Sequence, residues 1–185
     1  MCEKANFDIN RKEDLLDIEI EEIKYRLYMQ NKGVRHILIV STVEKEGKSK
    51  ILLDLATSIA KDNKNVLVMI PEGADFLGYN MPFGEILKTN AGIDLYHEKE
   101  NKEIVQKNVD NYDYVLTEAP ALMKSNAGIK LTEKSELVLL VVQTNRTSWR
   151  TIRTNVEKLK IGECKNIQVV LNKLQKNYGV LKVRG

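Results

Sequence analysis

The sequence predicts a doubly wound α/β domain: a mostly parallel sheet with helices on both faces. Three observations predict it. Short runs rich in Val, Ile and Leu recur along the chain and are too continuously apolar for strands with one wet face. Segments with apolar residues at every third or fourth position alternate with them. Glycine, proline and polar clusters fall between the two kinds of segment. Strands buried on both sides and alternating with helices need helices above and below the sheet.

The first helix is expected over residues 13–30, where Leu16, Ile20, Ile23 and Leu27 form a stripe, and Gly33 ends it. Its apolar stripe is expected to cover the sheet. His36 to Val40 reads as a buried strand, followed by a loop from Ser41 to Glu46. Gly47-Lys48-Ser49 then opens a helix whose stripe is Ile51, Leu52, Leu55, Ala56, Ile59 and Ala60. Asn65 to Ile70 is a second buried strand, stopped by Pro71 and Gly73. Residues 71–100 carry Gly73, Gly78, Gly84 and Gly92 and are expected to be largely loop, with a short helix from Phe83 to Lys88. A helix around 99–110, a strand at Tyr114–Thr117 and a loop at Pro120 follow. The strand Glu136–Val142, the helix Ser148–Lys160 and the strand Ile167–Leu171 complete the pattern, before a polar tail over about 175–185.

The 185 residues are 43% apolar and 30% charged, which suffices for one core and excludes wholesale disorder, so residues 1–185 are taken as one domain. No apolar run approaches the ~18 residues that span a bilayer, and the expected setting is the cytoplasm. The net charge is +3, with 26 acidic residues interspersed among 29 basic ones, which argues against a nucleic-acid partner. Cys2 and Cys164 make neither a disulfide framework nor a Cys-rich metal site, and Cys164 is expected in a turn. His36 and His97 lack the ligand spacings of a metal site.

The strand-loop-helix at 36–60 carries the chemical signal. A phosphate loop turns backbone N–H groups and a helix N-terminus toward an anion, with a lysine for the β/γ-phosphates and a hydroxyl for Mg²⁺. Lys48 and Ser49 supply the last two, directly after Gly47. Thr42 stands where G-x-x-x-x-G-K-[ST] has its first glycine, and Val43-Glu44-Lys45-Glu46 contains no glycine to take positive φ cheaply. Glu44 and Glu46 are expected to face incoming phosphates.

From about residue 19 to 175 the order and spacing of motifs resemble the bacterial tyrosine kinases (BY-kinases) of capsule and exopolysaccharide synthesis, in the MinD-like branch of P-loop ATPases. Ser41-Thr-Val-Glu-Lys-Glu-Gly-Lys-Ser49 is similar to that family's S-[AT]-x-P-G-E-G-K-[ST], and Asp54-Leu55-Ala56 to its N-L-A. Tyr112-Asp-Tyr-Val-Leu-Thr-Glu-Ala-Pro120 resembles Y-D-[FY]-V-I-[IV]-D-x-P. Leu137 to Thr144 and the Arg/Thr-rich helix after it resemble the late strand and its helix. Val170-Leu-Asn172 looks like the V-L-N whose asparagine meets the adenine.

The departures cluster at the site. Ile70-Pro71-Glu72 replaces an acidic D-x-D, Glu118 replaces the Walker B aspartate, and Asn126 replaces a further aspartate. In place of the family's oligomerisation motif E-x-x-R-x-x-R, this chain has Glu22-Ile-Lys-Tyr25-Arg-Leu-Tyr28, which puts the ring-shaped octamer in doubt. The tail has Tyr178 alone instead of a tyrosine cluster. Mg²⁺ demands near-octahedral oxygen geometry at short distance, and Ile70 offers no oxygen.

Carried over residue by residue, the resemblance implies catalytic positions at Lys48, Glu72 and Glu118. It implies nucleotide contacts from Thr42, Glu46, Gly47, Lys48, Ser49, Lys50 and Asn172, and Mg²⁺ ligands from Ser49 and Glu118. With the departures, it implies a degenerate kinase-like regulatory or interaction module with weak or absent ATP, ADP and Mg²⁺ binding. The implied partners are a membrane polysaccharide co-polymerase or adaptor, which would hold it at the inner face of the membrane, and further copies of the chain. Two alternatives stay open. One is an active ATP-dependent tyrosine autokinase with Glu72 and Glu118 as surrogate carboxylates and Tyr178 as acceptor. The other is a ParA/MinD-type partitioning ATPase that meets DNA through Arg146, Arg150 and Arg153, with Trp149 beside them. A solvated helical face or subunit contact is the simpler account of those arginines, and packing that of Trp149.

Overall fold

The computed structural model describes residues 15–30, 33–70, 86–89, 92–97, 109–163 and 166–172. In chain order these form α1 (Leu15–Gln30), β1 (His36–Ser41), α2 (Lys48–Lys61), β2 (Val66–Ile70), β3 (Ile86–Lys88), β4 (Ile93–His97), β5 (Tyr114–Glu118), α3 (Ala127–Leu131), β6 (Leu137–Gln143), α4 (Trp149–Ile161) and β7 (Ile167–Asn172). The strands make one seven-stranded sheet in the order β3-β4-β2-β5-β1-β6-β7. Every pairing is parallel except β3 with β4.

β1 lies inside the sheet, with β5 on one side and β6 on the other, which is why Ile37 to Val40 are apolar without alternation and all buried. Ile37, Ile39, Val66, Val68, Leu116, Leu137 and Leu139 face one way and pack with Ile51, Leu52, Leu55 and Ile59 of α2 and Ile20 and Leu27 of α1. Leu38, Val40, Val138, Leu140 and Val142 face the other way, onto Ile152 and Leu159 of α4. Helices therefore cover both faces, as the strand pattern requires. After β1 the chain crosses to β2 on one side, while β6 and β7 lie on the other. This topological switch places a crevice at the carboxyl end of β1, where the 41–48 loop sits.

α1 packs mainly against α2 rather than on the sheet. Ala60 is half-buried, and Ser58 joins the buried stripe of α2. The expected short helix at Phe83–Lys88 is corrected: Ile86–Lys88 is an antiparallel edge strand on β4. β4 is a strand the sequence did not announce, because Asp94 interrupts its apolar run; that carboxylate accepts the Tyr112 hydroxyl at 2.7 Å and the Thr89 N–H at 3.3 Å. Residues 71–85 and 98–108, Cys164 and the tail from 173, for which the sequence gives the expectations above, lie outside the described residues, although Val109–Asn111 forms a 3₁₀ turn. No helix among the described residues is long and apolar enough to cross a membrane.

Candidate functional site

β1 delivers Ser41 at its carboxyl end, and the chain curls through 42–47 into α2. Two residues of the curl lie in the left-handed region, Lys45 at φ 63° and Gly47 at φ 92°. Lys45 occupies the position of a family glycine and takes the glycine-like conformation despite its side chain, at a local cost of about 1–2 kcal/mol. Gly47 precedes α2, whose N-terminal amides receive no side-chain cap. Uncapped amides with the positive end of a helix dipole favour an anion.

Glu46 does not face that anion position, contrary to the sequence expectation. Its carboxylate is fully buried and accepts the Val43 N–H at 2.9 Å, the Gln143 N–H at 3.1 Å and the Thr147 hydroxyl at 2.7 Å. It closes the curl on itself and ties it to the end of β6. Glu44 is exposed and pairs with Lys124 at 2.6 Å; that hydrogen bond and charge hold its carboxyl below the usual carboxylate range. The Asn172 amide donates to the Glu46 carbonyl at 2.7 Å, so β7 also braces the loop. The positive φ of Gly47 favours glycine, and a Cβ there would stand 2.1 Å from that amide nitrogen, so any larger residue would have to displace the Asn172 side chain from the loop. The buried Thr42 hydroxyl accepts from Asn155 of α4 at 3.2 Å.

Lys48, Ser49 and Glu118 converge. Glu118 ends β5 directly beside Ile39 of β1 and is 2% exposed. Its Oε1 accepts both the Lys48 ammonium at 2.6 Å and the Ser49 hydroxyl at 3.0 Å. Its Oε2 is buried with no hydrogen-bond partner among the described residues. Ser49 and Glu118 thus offer two adjacent oxygens, but the Lys48 ammonium already stands where a cation would meet the carboxylate. Ile70, at the end of β2, is buried and brings no donor. A six-oxygen Mg²⁺ shell does not fit this arrangement unless Lys48 withdraws.

The other predicted positions divide. The Lys50 side chain pairs with Asp54 on the outer surface of α2 at 2.7 Å, away from the convergent group. Asn126 is exposed just before α3. Glu72 and Tyr178 lie outside the described residues. His36 and His97 lie on β1 and β4, separated in the sheet by β5 and β2. Asn155 and Thr147 are supports that the sequence reading missed. For Asn155 the signal was a polar residue on the buried stripe Ile152-Asn155-Leu159; for Thr147 there was none.

No family model matches the chain, and no curated protein matches its sequence. Its fold does match solved structures. It superposes on the chimerical protein CapA2B2 with a TM-score of 0.77 at 17% identity, covering 94% of this chain and 93% of that one. For the kinase domain of the Escherichia coli tyrosine kinase ETK the TM-score is 0.72 at 15% identity, with coverages of 91% and 80%. For the MinD cell division protein of Aquifex aeolicus it is 0.58 at 19% identity, with coverages of 76% and 70%. The fold is the α/β P-loop fold shared by bacterial tyrosine-kinase domains and MinD/ParA-like ATPases.

Proposed function

We propose, from this shared fold, that the chain is a kinase-like regulatory or interaction module of capsular or exopolysaccharide biosynthesis. Its phosphate loop keeps its shape while its lysine is held by the protein itself. The carrying observation is the 2.6 Å pair between Lys48 and the buried Glu118. A lysine that serves β/γ-phosphates must present its ammonium to them. Here a nucleotide has to displace a buried carboxylate first, and that carboxylate would then lie unpaired beside the phosphates. Ser49 and Glu118 are the residues that would hold Mg²⁺ if Lys48 withdrew, and the ion would supply positive charge against that repulsion. The family resemblance supports a membrane polysaccharide co-polymerase or adaptor as the partner, a place at the inner face of the membrane, and self-association.

Isothermal titration tests the reading. Mg-ATP and Mg-ADP are expected to bind no tighter than about 0.1 mM, or roughly −5.5 kcal/mol, with Lys48→Ala changing little. Micromolar, Mg²⁺-dependent binding that Lys48→Ala abolishes would sink it.

The preserved curl favours a second reading. Gly47 in the left-handed region, the uncapped start of α2 and the convergence of Lys48 with Ser49 are what an active autokinase needs. That reading requires mass increments of ~80 Da per phosphoryl group after incubation with Mg-ATP. An unchanged intact mass removes it.

A further inference from the structure

α4 covers the sheet with Ile152, Asn155 and Leu159 and turns its opposite face to solvent. That face carries Arg150, Arg153 and Lys160, with Arg146 on the turn before it and Glu157 as the one acid, and Lys158 is exposed on its flank. The segment 146–161 holds four net positive charges, against three for the whole chain, so the modest overall charge conceals a local basic surface. Glu157 pairs with Lys160 at 3.3 Å, and Arg146 donates to the Lys45 carbonyl at 3.4 Å. Among the described residues, no carboxylate pairs with Arg150, Arg153 or Lys158.

Two large apolar side chains bracket this face. Trp149 is 61% exposed and Ile161 76% exposed. At 1.5 Å per residue they stand ~18 Å apart along the helix, and at 3.6 residues per turn Arg150, Arg153 and Lys160 fall within the same third of its circumference. Trp149 is therefore not a packing residue.

We propose that the outer face of α4 is a peripheral membrane-docking surface that binds anionic lipid headgroups. Arg150, Arg153 and Lys160 meet the headgroup phosphates. Trp149 and Ile161 enter the boundary between headgroups and acyl chains, where an indole is both wet and buried. A nucleic-acid backbone offers the same phosphate charge but gives Trp149 and Ile161 no apolar layer to enter. Three basic side chains of the helix, with Arg146 before it, and two shallow apolar anchors give a reversible, salt-sensitive contact. Such a contact becomes firm when a second attachment raises the effective concentration. It uses no residue of the Lys48–Glu118 site, so it stands or falls separately from the nucleotide reading.

Trp149 is the only tryptophan of the chain, so its emission reports the contact directly. The full chain is mixed with vesicles of phosphatidylcholine alone and with vesicles containing about a third phosphatidylglycerol. Co-sedimentation and a blue-shifted emission are expected with the anionic vesicles only, and both are expected to be reversed by salt. The double variant Arg150→Glu/Arg153→Glu should bind roughly tenfold or more weakly with an unchanged thermal midpoint, and Ile161→Ser roughly threefold more weakly. Absence of binding, equal binding to neutral vesicles or unchanged Trp149 emission would overturn the proposal. So would a preference for duplex DNA with the same arginine dependence, which would assign the face to nucleic acid.

Discussion

Glu118 is one methylene longer than the aspartate of the family pattern it resembles, and that length carries Oε1 to within 2.6 Å of Lys48 and 3.0 Å of Ser49. The carboxylate is buried, so the attraction is screened less than in a surface pair, and losing one partner costs more than the pair contributes. Lys48→Met is expected to lower stability by about 2–3 kcal/mol, because it strands the Glu118 charge, and Lys48→Met/Glu118→Ala to recover most of that loss. Urea titration measures both, and an additive double variant would show that the groups are not coupled. Glu118→Ala frees Lys48 for phosphate and should tighten ADP binding about tenfold, ~1.4 kcal/mol; an unchanged affinity would mean that the pair does not limit binding.

At the scale of elements, the phosphate loop is held by what surrounds it. The Glu46 carboxylate gathers amides from Val43 and Gln143 and the hydroxyl of Thr147, Asn172 reaches over from β7, and Asn155 from α4 grips Thr42. The brace compensates for Lys45 at positive φ. Glu46→Ala removes three buried hydrogen bonds and is expected to cost about 3 kcal/mol. Lys45→Gly relieves the left-handed strain and should raise stability by up to about 1 kcal/mol, the gain being offset in part by the freedom of glycine in the unfolded chain. Denaturant midpoints that leave Glu46→Ala equal to wild type would contradict the brace. α1 shows the same dependence on context. Tyr28, at the second arginine position of the family motif, turns inward to hydrogen-bond Asp62 at 3.0 Å and to stack on Tyr114 with ring centres 6.0 Å apart. Tyr25 stays exposed.

Across the whole molecule, carboxylates join the layers. Burial pushes the Glu136 carboxyl up, but the backbone N–H groups of Arg35 and His36 outweigh it and hold the group below its ordinary value. For Glu21 burial likewise raises, and the Lys24 ammonium and Ser58 hydroxyl prevail and lower it. One contact joins the start of β1 to the start of β6, and the other joins α1 to α2. A carboxyl depressed in the folded state contributes stability that is present above its unfolded value and lost as pH falls through the folded one. Thermal midpoints should therefore stay level from neutrality to about pH 5 and decline below about 4.5. Glu136→Gln should give a shallower acid decline, and identical acid limbs in the two proteins would rule out this linkage.

Local pattern sufficed for β1, β2, β5, β6 and β7 and for α2 and α4, because burial on both sides writes itself as a continuous apolar run and one-sided burial as a stripe. The Gly47-Lys48-Ser49 turn was legible for the same reason: positive φ and a helix start are local demands. β3 and β4 were not legible, since three edge residues carry little pattern and Asp94 breaks the run of its strand. Nor could the sequence say that Glu46 turns into the protein or that Glu118 holds Lys48 across 70 positions of chain. Nor did it show that Trp149 and Ile161 remain in solvent beside arginines that no carboxylate among the described residues pairs with. Periodicity and turn chemistry act over a few residues and determined the fold class. The direction of a charged side chain follows from partners that only the packed sheet brings within reach, and tertiary structure alone decided it.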